Sequence, residues 1–283
     1  MRLRTVPARQ GFAWVRRGFR AFLQRPLANT VLLGSFMLAA FALLLLPVVG
    51  VVLVVMALPL VSLGFMIATR RALAGLPAGP GVLLEGLRAP MPRRRSMLTL
   101  LAVYAAANLL VMLLADAVDG GRFAALQQAL TAESAPSPEQ MAELLGDPRL
   151  FWGLVLRFGL TALVSLPFWH APALVHWEGQ GVGQALFISS LACWRNKGAL
   201  VVYGAGWLAL VLLFSMLANT VVALFGEPRL LALAAMPAAL MFSTAFYASL
   251  YFIYADCFQP DPPVPALVPE PADAPLPPTP PSP

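Results

Sequence analysis

The sequence predicts an all-α membrane protein: six transmembrane helices with cytoplasmic interfacial amphipathic helices beside them. Three observations carry this. Of 283 residues, 59% are hydrophobic and 11% charged, against about 25% charged in a typical soluble domain. The apolar residues gather in charge-free runs, the first unbroken from Pro26 to Thr69. The cations, all arginine except Lys197, stand mostly at the ends of those runs. With a mean hydropathy of +0.77, a soluble globular enzyme, a disordered chain and a disulfide scaffold are excluded. Cys193 and Cys257 sit in no CxxC pair and read as unpaired thiols.

Residues 1–26 form a basic segment. Within it, residues 8–25 place Phe12, Val15, Phe19 and Phe22 on one side of a helical wheel and Arg9, Arg16, Arg17 and Arg20 on the adjoining side. That is the pattern of a helix lying among lipid headgroups. Two roles fit it: sensing of anionic lipid, or an anchor that sets topology and stiffens the first span.

The bundle covers residues 27–255. Pro26–Thr69 is 44 residues long, and a helix rising about 1.5 Å per residue needs about twenty to cross a core of about 30 Å. The run therefore holds two spans, with a turn at Pro47–Gly50 supplied by proline and glycine. It begins too late and is too long for a cleaved signal peptide. Ser96–Ala115 is the third span, and an extracytoplasmic loop over 116–149 follows. In that loop Ser137-Pro138-Glu139-Gln140 reads as a capping box opening a helix over 138–145, with another helix near 121–131. Asp147-Pro148 reads as the N-cap and first position of span four, Leu150 to about Val175. Gly198–Phe225 and Leu230–Ala255 are spans five and six, joined by Gly226-Glu227-Pro228-Arg229.

Orientation follows from the cations. Seven precede the first span, six lie between spans two and three, and Arg195 and Lys197 precede span five. Only Arg122, Arg149 and Arg229 fall on the other side, so both termini are expected in the cytoplasm. Residues 80–88 and 183–195 resemble 8–25 in standing before a span, which suggests three repeats of interfacial helix plus helical hairpin; shared membrane composition is the competing explanation. Residues 256–283 form a Pro-rich tail, with 12 prolines from 257 onward. It is expected to be a disordered spacer, with Pro275-x-x-Pro278 able to meet a protein partner.

Chemistry-bearing residues are few. Asn108, Asn219 and Arg157 are the strongly polar side chains well inside spans. An intramembrane arginine either carries function or snorkels to the surface. If span four starts at Pro148, Asp116 at the end of span three is the expected partner of Arg157, with Asn219 a neutral second choice. In that register, replacing Arg157 by leucine is expected to leave folding intact or improved while changing any activity; in the register that follows it is expected to do almost nothing. If the hydrophobic run starts at Phe158, Arg157 stands unpaired at the headgroups. His170 and His176, six residues apart, face opposite sides of a helix and are not expected to ligate metal with Glu178. There is no phosphate loop, no HExxH and no nucleophile elbow, so neither cofactor nor catalysis is expected, and no nucleic-acid partner.

One stretch carries a resemblance. Ala171-Pro172-Ala173-Leu174-Val175, Glu178-Gly179, Gly183 to Ser190 and Arg195-Asn196 resemble the signature of a broad group of uncharacterised six-span bacterial inner-membrane proteins. Arg9-Gln10-Gly11, Trp14 and Arg25-Pro26 are similar to its beta-proteobacterial branch. A related membrane region is found joined to glycerophosphodiester phosphodiesterase domains; no such catalytic domain is present in this chain. The resemblance covers about residues 8–255. It implies a fold and a membrane location, and supplies no catalytic residues.

Two functions follow. The first is a non-enzymatic integral inner-membrane protein, an accessory or membrane-organising factor acting through lipids, especially anionic headgroups, or through a protein partner. The second is a transporter of a small or amphiphilic solute. A polar cavity at mid-membrane favours the second, a solid apolar core the first.

Overall fold

A computed structural model describes residues 2–132, 136–226 and 228–259. Glu133, Glu227 and the tail from residue 260, with Pro275-x-x-Pro278, lie outside them, as does the side chain of Arg229. Six of its helical segments are long and apolar enough to cross a membrane.

The helices run in chain order as α1 (Gln10–Gln24), α2 (Pro26–Leu44), α3 (Val49–Leu73), α4 (Met91–Asp119), α5 (Arg122–Thr131), α6 (Pro138–Gly146), α7 (Pro148–Phe168), α8 (Ala171–Glu178), α9 (Val182–Arg195), α10 (Lys197–Phe225) and α11 (Pro228–Cys257). Two-residue strands, β1 (Arg2–Leu3) and β2 (Phe258–Gln259), pair antiparallel and fasten the two described ends of the chain together. Five of these helices (α2, α3, α4, α10, α11) each make one span, and α7 with α8 makes the remaining one. The core is uneven. Half of the α3 span is buried, against 11% of α2 and 6% of α10, so α3 and α11 form the centre while α2 and α10 present leucine, valine and methionine outward.

Local chemistry sets the boundaries. Gly120 ends α4 in the left-handed conformation, its N–H bonded to the Asp116 carbonyl, an arrangement glycine adopts without steric cost. Ser137 caps α6, accepting from the Gln140 N–H while its own N–H donates to the Gln140 side chain. The Asp147 carboxylate accepts from the Arg149 N–H at the start of α7.

Four details differ from the sequence reading. Gly50 lies inside α3, and the positive φ of the hairpin tip falls on Val48 at 59°; a β-carbon at Gly50 would collide with the Leu43 carbonyl. Residues 80–87 form a 3₁₀ helix rather than an α-helix, wedged by Val82 and Gly86 onto α3. The fourth span is broken after Phe168, because Pro172 has no N–H to give the carbonyl four residues back. Lastly, α1 does not bury its phenylalanine side alone. The residues turned into the protein are Gly11, Trp14, Val15, Gly18 and Ala21, while Phe12 is exposed. A β-carbon at Gly11 would strike the backbone of Ala199, and one at Gly18 the backbone of Ala245. A wheel weighted by hydrophobicity passes over glycine, yet small residues are what let two helix backbones meet closely.

Candidate functional site

The buried ionic site joins α4 and α7. Asp116 and Asp119, three residues apart, share a face of α4. Gly153 and Arg157, four apart, share a face of α7. Gly153 leaves the room that the Asp119 side chain fills, since a β-carbon there would overlap it. Arg157 lies nine residues into α7, and its side chain runs back toward the helix start, as helix geometry favours. Its Nη2 donates to Asp116 at 2.6 Å and to Asp119 at 3.2 Å. Phe123 of α5 covers the guanidinium at 4.2 Å, while the buried Nε has no partner. Asp119 is wholly buried and Asp116 is 58% exposed. Asn219 takes no part: its amide donates to Ser215 of its own helix. Asn108 likewise donates to Tyr104 four residues earlier. Asp119 was missed because it reads as loop; the signal was the Asp-x-x-Asp spacing before Gly120-Gly121.

At the opposite end, near the paired strands β1 and β2, Asp256 gathers α1. It accepts from Gln10 Nε2 at 2.6 Å, Trp14 Nε1 at 2.8 Å and Arg17 Nη1 at 3.0 Å. Arg17 is thus turned to a protein carboxylate, while Arg9, Arg16 and Arg20 stay exposed. Phe19 stacks on Trp207 at 5.3 Å, and Phe22 is partly buried against the core.

The signature stretch is placed where the fold closes. Ala171–Val175 are all buried. Ser189 bridges the break between α7 and α8: its hydroxyl accepts from the His170 N–H at 3.0 Å and donates to the Leu166 carbonyl at 3.2 Å. Asn196 pins the segment before α1, accepting from the Val6 N–H and donating to the Arg4 carbonyl. Glu178 accepts from Tyr254 at 3.3 Å, and Gly179 ends α8 in the left-handed conformation. Burial pushes the Cys193 thiol up to about 12, so it stays protonated. In the first turn of α6, its own backbone N–H and the Ser137 side chain hold the Glu139 carboxyl below its usual range. Among the described residues, no group of three histidine, cysteine, aspartate or glutamate side chains is placed to hold a metal ion.

Two hollows stand out. One of about 240 Å³ is lined by Ser62, Tyr104, Ser165, Trp169 and Tyr247, among apolar neighbours. The other, about 650 Å³, is a groove between α7, α9 and α10 with almost wholly apolar walls and Lys197 on its margin.

No family model and no solved structure matches the chain. It is 33% identical over 260 residues to a probable inner membrane protein of Burkholderia thailandensis, a match covering 91% of this chain and 94% of the relative. The chain therefore belongs to the family of that inner membrane protein, and its six long apolar helices are those of a multi-pass protein.

Proposed function

We propose that the protein is a non-enzymatic accessory or membrane-organising factor that acts through anionic lipid, with both termini in the cytoplasm. One observation carries this reading. At the end of the bundle where β1 meets β2, exposed cations stand beside exposed apolar side chains. Arg9, Arg16 and Arg20 stand beside Phe12 and Leu23 on α1; Arg195 and Lys197 stand beside Phe187 and Trp194 on and after α9. Such a surface suits headgroups above and acyl chains below, and a polybasic surface gains about 1 kcal/mol per cation near anionic lipid. A partner bound through the Pro-rich tail is a further part of the proposal.

The test is lipid enrichment. The full chain, purified from mixed micelles of phosphatidylglycerol and phosphatidylcholine, is expected to retain phosphatidylglycerol preferentially, less so at high salt. Equal retention of both lipids rejects the reading. For orientation, a periplasm-active reporter is expected to be silent after residue 260 and active near residue 135.

The hydroxyl-lined hollow favours a second reading, transport of a small or amphiphilic solute. Ser62 and Ser165 already donate to carbonyls of their own helices, while the buried Trp169 Nε1 has no partner and the Tyr104 and Tyr247 rings also line the hollow. Vesicles carrying the protein leak no solute under the first reading; a solute whose flux falls on Ser165→Leu supports the second.

A further inference from the structure

We propose that the groove between α7, α9 and α10 is a binding site for one anionic diacyl phospholipid, its acyl chain against the groove wall and its headgroup at Lys197. The proposal rests on the lipid reading above and assigns it a place.

The groove exists because α10 leans on α1 and α11 rather than on α7, and α9 wedges between the two. Leu163 and Pro167 of α7, Phe187 and Leu191 of α9, and Leu200 and Val201 of α10 form its walls. Its polar wall atoms are already satisfied from within. The Ser190 hydroxyl donates to the Leu186 carbonyl at 2.8 Å, and Cys193 Sγ points to the Leu166 carbonyl at 3.6 Å. Away from Lys197, a polar solute would find no free donor on these walls, whereas a hydrocarbon chain loses nothing on burial there. At about 650 Å³, the hollow lies within the usual range of small-ligand pockets, and its open side leaves the rest of a lipid in the bilayer.

The charge is placed at one end. Lys197, the only lysine in the chain, lies on the margin of the groove with its ammonium 4.6 Å from the Trp194 ring centre. Lys197 is also the first residue of the 29-residue α10, so the positive end of that helix dipole adds to its charge. Exposed Arg195 is two residues away. An aromatic ring at headgroup depth, a cation above it and an apolar trough below match the parts of an anionic phospholipid in order. A polypeptide helix would match the trough but not the cation. The acidic Pro-rich tail would match the cation but not the trough.

The probe is phosphatidylglycerol against phosphatidylcholine of identical chains, with bound lipid counted by native mass spectrometry on the full chain in mild detergent. The native chain is expected to keep one phosphatidylglycerol. Lys197→Glu is expected to weaken that retention roughly fivefold or more, the size of one or two surface charges, without affecting phosphatidylcholine. Leu163→Trp, which fills an exposed apolar wall, removes retention of either lipid. If Lys197→Glu fails to fold, Lys197→Gln tests the charge alone, with a smaller loss expected. Arg149→Glu, an exposed position at the opposite end of the bundle, is the control and leaves the single bound lipid in place. Should phosphatidylglycerol stay bound equally to all variants, the groove is overturned while the wider cationic surface survives. No preference in the native chain overturns both. A lipid-free dimer cross-linked through Leu163→Cys also overturns the proposal, since a second copy then fills the groove.

Discussion

Two arginine–aspartate sites close opposite ends of one bundle, and they are built inversely. Around Asp256, one carboxylate of α11 takes three donors spaced along one face of α1. Around Arg157, one guanidinium of α7 takes two carboxylates spaced along one face of α4. In both, a helical repeat supplies several partners and the opposing helix supplies a single residue. The comparison teaches that each site is most fragile at its single member. The two also differ in burial: Asp256 retains 24% of its side-chain exposure, whereas Asp119 has none.

That difference orders the expected effects. Arg157→Leu leaves the buried Asp119 without its cation, and removing one partner of a buried pair costs about 3–5 kcal/mol. Thermal unfolding in detergent should fall accordingly, and adding Asp116→Asn with Asp119→Asn should restore most of the loss. The sequence alone led to the opposite expectation for Arg157→Leu, because Asp119 read as loop. An unchanged unfolding temperature would show that Asp119 reaches water and would erase the contrast in burial. Asp256→Ala orphans Trp14 Nε1, Gln10 and Arg17 together, but near water. A loss of about 2–3 kcal/mol is expected, with faster tryptic cleavage at Arg16 and Arg17 as α1 loosens.

Smaller changes sharpen the contrast between close and open helix contacts. Gly18→Ala forces α1 away from α11 and should cost about 1–3 kcal/mol. Gly34→Ala, with open space around it, should instead gain a few tenths to about 1 kcal/mol from helix propensity. Smallest of all is a reactivity effect. In a Cys257→Ala chain, Cys193 should resist alkylation at pH 8, because the nucleophile is the thiolate and its pKa of about 12 leaves almost none. The rate should climb as pH rises toward that value or on unfolding; rapid labelling at pH 8 would place Cys193 at an open surface.

Much of the fold is legible in the sequence because membrane spans are set by length and charge alone. Pro26–Thr69 has to hold two helices, and Ser137-x-x-Gln140 has to start one. The charged partner of Arg157 is legible at Asp116, where hydropathy ends the span. What stays hidden depends on contacts between distant segments. Asp256 reads as the edge of the tail until α1 is seen packed along α11. Gly11 and Gly18 read as neutral until their missing β-carbons are seen to admit neighbouring backbones. The break after Phe168 follows from Pro172, but only Ser189, nineteen residues beyond His170, shows how the freed backbone groups are satisfied.

The central claim is that anionic lipid is held at the end of the bundle where β1 meets β2. Hydrogen–deuterium exchange of the full chain, in nanodiscs of phosphatidylglycerol and of phosphatidylcholine, tests it most directly. The account predicts slower exchange in phosphatidylglycerol over residues 8–25 and 182–200, and no difference over 45–50 and 122–146 at the opposite end. Equal exchange in both lipids, or protection confined to the opposite end, would contradict it.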